Sequence, residues 1–80
     1  MFFYWDPKKN QSNIEKHGVG FDAAHDFDWS EDVALVAQDT RKYYGERRYT
    51  AISYVCDLLH VLVFTPRPGG IRIISLRLAN

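Results

Sequence analysis

The segment LHVLVFTPRPGGIRIISLRLA, Leu59 to Ala79, carries the clearest structural punctuation in this 80-residue chain. LHVLVFT is apolar at successive positions, which suits a strand covered on both faces and so central in a sheet. GIRIISLRLA is a second strand-like run rich in β-branched residues. TPRPGG between them is a turn, because proline and glycine set backbone angles that neither a helix nor a central strand continues. Two strands joined by so short a link run antiparallel. Two earlier stretches read the same way: VALVAQD from Val33 and RRYTAISYVC from Arg47. Four strands with short links favour an antiparallel meander.

The first third of the chain has a different texture. MFFYW is a short aromatic run, predicted to be a strand beginning at the terminus. Asp6 is a good N-cap and Pro7 a good first helical residue, while Gly18 suits a left-handed helix end; the spacing predicts a helix over Pro7–His17. Asn10, Asn13, Ile14 and His17 share one face of that helix, and only Ile14 is apolar. So polar an inner stripe means either a buried hydrogen-bond network or part of a polar site. A second short helix is predicted over Phe21–Phe27, with Phe21, Ala24 and Phe27 at the spacing of a buried face. The expected architecture is α+β: a short N-terminal strand and two helices packed on a mainly antiparallel four-stranded sheet, in one domain spanning residues 1–80.

Composition narrows the class. Apolar residues make up 46% and aromatics 15%, so the chain is not a disordered one. One cysteine, Cys56, supports neither an intrachain disulfide nor a zinc site. MFFYWDPKK turns charged after five apolar residues and has no leading basic region, so it does not read as a signal peptide. The longest apolar run is too short to span a bilayer. The expectation is a soluble, cytoplasmic protein without membrane contact. Net charge is zero but unevenly spread: residues 1–32 sum to minus four and residues 33–80 to plus four. Six of the seven basic groups in the second part are arginines, the side chain suited to two-pronged phosphate contacts. The reading divides evenly between an anion-binding half and ordinary internal pairing.

EKHGVGFDAAHDF, Glu15 to Phe27, packs two histidines among aspartates and invites a metal reading. The glycines between His17 and His25 break the helix that would align them, so no metal is expected. Neither Ser75 nor Cys56 sits on a strained nucleophile turn. Phosphate chemistry with protein groups alone needs a proton acceptor, a proton donor and a fixed cation. YYGERRY supplies Glu46, Arg47, Arg48 and Tyr49 before a strand, and IRIISLR supplies Arg72 and Arg77. A sheltered Arg72 needs a partner, either an anion or Glu46 in a structural ion pair. Arg72 and Arg77 are five apart and share a face only if a bulge or the strand end lies between them.

Three ordered motifs resemble the BrnT family of type II toxins. YWDPKKNQSNIEKHGVGFDAA matches through Trp5, Asp6, Lys9, Asn13, Lys16, His17, Gly18, Val19, Phe21 and Ala24. GERRYTAI matches through Glu46, Arg48 and Tyr49, and IRIISLRLA through Arg72, Ile73, Ile74, Ser75, Arg77 and Ala79. Leu76 and Gly20 depart from the family pattern, which usually has alanine and a capping serine or threonine there. The resemblance implies a RelE-like fold and a ribonuclease toxin that cuts RNA and blocks translation with no cofactor. It also implies a BrnA-like antitoxin that covers the toxin and makes any DNA contact on its behalf. A C-terminal segment bearing a glutamate and often a tyrosine is common in the family and is expected to be missing after Asn80. On this reading His17, Glu46, Arg48, Arg72 and Arg77 are the candidate catalytic residues, and Lys9, Lys16, Arg47 and Tyr49 the candidate substrate contacts. The alternative is a non-catalytic relative that only docks an antitoxin-like partner.

Overall fold

The computed structural model describes residues 1–41 and 43–80; Lys42, counted above in the basic half, lies outside them. The chain runs β1 (Phe2–Tyr4), α1 (Pro7–His17), a 3₁₀ helix (Phe21–Asp26), β2 (Leu35–Asp39), β3 (Arg48–Val55), β4 (Leu58–Arg67) and β5 (Gly70–Leu78). The limits of α1 follow from local chemistry. The Asp6 carboxylate accepts from the Lys8 N–H at 2.9 Å, and Gly18 closes the helix at φ 74° with its N–H donating to Ile14 O.

The strands form one five-stranded sheet in the order β1-β5-β4-β3-β2. The four-stranded, mainly antiparallel sheet expected from the sequence is corrected here. β1 is a fifth member, pairing parallel with β5 through Phe2–Gly70, Phe3–Ile71 and Tyr4–Arg72, and it makes the sheet mixed. That pairing joins the two ends of the chain, so no short link announces it. Gly70 permits it, since a Cβ there would stand 1.9 Å from the Phe2 carbonyl oxygen. The expectation of two helices is corrected as well. Phe21–Asp26 is a 3₁₀ turn, with Ala23 N–H bonded to Gly20 O and Phe27 N–H to Ala24 O. Gly20 offers no side-chain cap to seed an α-helix there.

The core lies on one face. Phe21, Ala24 and Phe27 press against Leu62, Ile73 and Leu76, all buried. Trp29 fits among Phe27, Phe64 and Phe3 with ring centroids 4.5, 5.9 and 6.0 Å away. Helix α1 packs chiefly along β5, whose outer edge is free of strand partners beyond Arg72. Asn13 fills that gap: its amide donates to Leu76 O at 2.7 Å and to Val19 O at 2.9 Å, and its oxygen accepts from Leu76 N at 3.3 Å. Asn10 likewise accepts from the Phe21 N–H at 2.8 Å. Asn13 therefore stands in for a missing strand at the β5 edge, and Asn10 ties α1 to the 3₁₀ helix.

Candidate active site

Among the described residues no helix packs on the opposite face of the sheet, and strand alternation sorts its residues. Cross-strand pairs lie on the same face. Arg72 pairs with Tyr4 on one side and Thr65 on the other, and Arg48 pairs with Asp39. Arg48 and Thr65 are one step beyond the Tyr49–Phe64 pair. Tyr4, Arg72, Thr65, Arg48 and Asp39 thus form a row across all five strands of the open face.

Arg77 reaches that face through a bulge. Ser75 pairs with Val63 and Ile73 with Phe64, which leaves Ile74 as the extra residue. The insertion offsets the odd spacing, so Arg77, opposite Val61, and Arg72, opposite Thr65, point the same way. Their partners on β4 are four positions apart, roughly 13 Å along the strand.

Glu46 sits at the top of the row, before β3. Its Oε1 accepts from the Arg67 guanidinium at 3.3 Å, and its Oε2 lies 3.7 Å from Arg48 Nε. The ion pair left open between Glu46 and Arg72 resolves into pairs with Arg67 and Arg48. At 3.7 Å the second contact is coulombic and not a hydrogen bond. Arg48 Nε is enclosed and has no hydrogen-bond partner among the described residues. The Arg48 guanidinium also lies 4.3 Å from the centre of the Tyr44 ring. Thr65, 2% exposed, accepts from Arg67 at 3.4 Å. Neither Arg72 nor Arg77 forms an ion pair with a described residue. Arg48, Arg67 and Arg72 thus share the open face with two carboxylates, Glu46 paired with Arg67 and Arg48 and Asp39 taken by Arg41, which leaves Arg72 as a guanidinium of the kind suited to two-pronged phosphate contacts.

At the loop end of the row, Asp39 is gripped by Arg41 through bonds of 3.0 and 2.9 Å and by the Tyr44 hydroxyl at 2.8 Å. The hydrogen bonds from Arg41 and then that from Tyr44 hold the Asp39 carboxyl well below the usual carboxylate range.

The other candidates fall elsewhere. Lys9, Lys16 and His17 line a groove with Ser12, Ile74 and Ser75, where α1 meets the free edge of β5. They lie on α1 and not in the arginine row, although Ser75, which lines the groove, is on the open face between Arg72 and Arg77. Arg47 is exposed in the loop before β3 and lines a pocket with Tyr43, Tyr44 and Glu46. Tyr49 faces the core and stacks on Phe64, centroids 5.5 Å apart. His25 lies edge-on to Phe3, away from His17. Among the described residues no three histidine, cysteine or acidic side chains stand together as a ligand set for a metal.

Sequence reasoning missed Arg67 because it sits within TPRPGG, read as a turn. The signal was available: β4 continues through Pro66 to Arg67, and Thr65 and Arg67 alternate onto the face that also carries Arg72.

A comparison with families of known proteins gives this arrangement a context. The sequence model of the family described as "Ribonuclease toxin, BrnT, of type II toxin-antitoxin system" matches residues 5–80. The chain belongs to the BrnT family. The match takes in every candidate residue on the open face except Tyr4, and the whole of α1. A search of curated proteins returned no match. As a BrnT-family member the chain is a ribonuclease toxin of a type II toxin-antitoxin system, a class that works against an antitoxin partner. Among the described residues no helix is long and apolar enough to cross a membrane.

Proposed function

We propose that this BrnT-family chain is a metal-independent endoribonuclease that acts in the cytoplasm, cutting RNA and so inhibiting translation until a BrnA-like antitoxin neutralises it. The observation that carries this reading is the open face, where Glu46 pairs with Arg67 and Arg48 and Arg72 stands on the same face with no ion-pair partner among the described residues. A phosphodiester meets the accessible parts of the Arg48 and Arg72 guanidinium groups, the Arg48 side chain being about a quarter exposed. Glu46 takes the proton of the RNA 2′-hydroxyl, whose oxygen attacks the adjacent phosphorus. The arginines hold the charge that grows on the phosphoryl oxygens. The bond to the 5′-oxygen breaks, and that oxygen, on an open surface, takes a proton from solvent. The products are a 2′,3′-cyclic phosphate and a 5′-hydroxyl end. Arg77 and the groove of Lys9, Lys16 and His17 hold the strand on either side of the cut.

The test uses the full chain purified free of antitoxin and incubated with RNA in excess chelator. Cleavage to cyclic-phosphate ends is expected, with Arg72→Ala and Glu46→Gln each slowing it about 100-fold or more. His17→Ala is expected to raise KM with little change in kcat. A wild-type chain that binds an antitoxin but cleaves nothing would leave the docking-module alternative standing.

A further inference from the structure

The open face is divided in two. The Tyr4–Asp39 row is charged; four residues further along the strands from it come Arg77, Val61, Ile52 and Leu35, then Leu59 and Tyr54. Leu35 is 71% exposed, Tyr54 46% and Leu59 41%, and no element among the described residues covers them. Between the halves lies a band of small side chains, Ala37, Thr50, Val63 and Ser75, and a concavity there is lined by Ala37, Thr50, Val61, Val63 and Arg77 with Thr40 and Arg41. Beside the patch, β2 is the sheet's outer strand, with Leu35 and Val36 both exposed. Exposed apolar side chains on an outer strand are a liability that a lone protein suppresses with charge or cover, and β2 shows neither at these two positions.

We infer that Leu35, Ile52, Tyr54, Leu59 and Val61 dock an acidic, apolar-anchored segment of the partner protein, and that the same segment runs on over Arg77 towards Arg72. Charge complementarity sets both occupant and direction. Arg77 and Arg72 border one side of the patch and have no carboxylate of their own among the described residues. Exposed Glu31, Asp32 and Asp57 belong to the loop before β2 and the turn between β3 and β4, at the other side. Carboxylates of the segment therefore face the arginines, where they occupy the positions a phosphate would take. Neutralisation in this arrangement is competition for the arginines, anchored on apolar surface that RNA does not need. That consequence rests on the ribonuclease reading above, whereas the docking surface does not.

The experiment co-expresses the full chain with the protein encoded by the adjacent reading frame and measures complex affinity and amide exchange without RNA. Leu35→Glu and Leu59→Glu are expected each to weaken the complex about 30-fold or more. Leu58→Glu, at a residue whose exposure of 59% lies between those two but on the other face, should bind as wild type. Protection should appear on β2 and β3. Patch variants that bind as wild type, protection confined to α1, or no complex with that protein would overturn the proposal. So would a chain that dimerises alone and loses the dimer with Leu35→Glu, since the occupant is then a second copy. A chain that docks as described yet cleaves no RNA defeats the ribonuclease reading and supports this one.

Discussion

Asn13 does more for this fold than its single amide suggests. It is 6% exposed and serves three backbone groups, two of them on the free edge of β5. Asn13→Ala strands those groups and is expected to cost about 2–3 kcal/mol in chemical denaturation. Asn13→Asp should be no milder, because a carboxylate accepts from Leu76 N–H but cannot donate to Leu76 O or Val19 O. Asp39 is the other residue whose surroundings set its behaviour. Its carboxyl is held low in the folded chain, so its contribution to stability is fully present above the ordinary carboxylate range. That contribution is lost only as pH falls further, through the depressed value. A carboxyl-carbon NMR titration should show Asp39 still ionised where ordinary carboxylates have become protonated, and Arg41→Ala should move its midpoint up.

Strand β1 is only three residues long and depends on a close approach that one glycine permits. Gly70→Ala drives a methyl group into the Phe2 backbone, so β1 must leave β5 or the turn must distort. The expected result is a loss of about 2–3 kcal/mol and of exchange protection at the β1–β5 amides, with β3 and β4 protection kept. The bulge at Ile74 is a second such device. It keeps Leu76 in the core while placing Arg77 on the open face, which an unbroken alternation from Arg72 could not do.

Across the molecule, the sheet separates two tasks. One face holds the apolar core under the 3₁₀ helix, and the other is left to arginines and a bare apolar patch. The net charge of zero conceals this, because the acidic groups are concentrated in the first 32 residues, away from the arginine row. Electrostatics should therefore dominate RNA binding despite the neutral sum. The logarithm of affinity for single-stranded RNA is expected to fall linearly with that of salt concentration. Arg77→Ala should reduce the slope by about 0.7, the amount for one phosphate contact to a single strand. An unchanged slope would mean that Arg77 does not touch the backbone.

What was legible in the sequence was what neighbouring residues settle among themselves. Asp6, Pro7 and Gly18 fix both ends of α1 through caps within a few residues, and alternation with turn residues locates β2 to β5 to within two or three residues at each end. The arginines of the candidate site were visible by type and position. Their grouping was not, because it depends on register between strands. The Ile74 bulge aligns Arg72 with Arg77, the continuation of β4 brings Arg67 to Glu46, and the opposite parity turns Tyr49 into the core. The parallel β1–β5 pair and the Asn13 bonds to Leu76 join residues from opposite ends of the chain. Such contacts join residues more than sixty positions apart, so no local pattern encodes them.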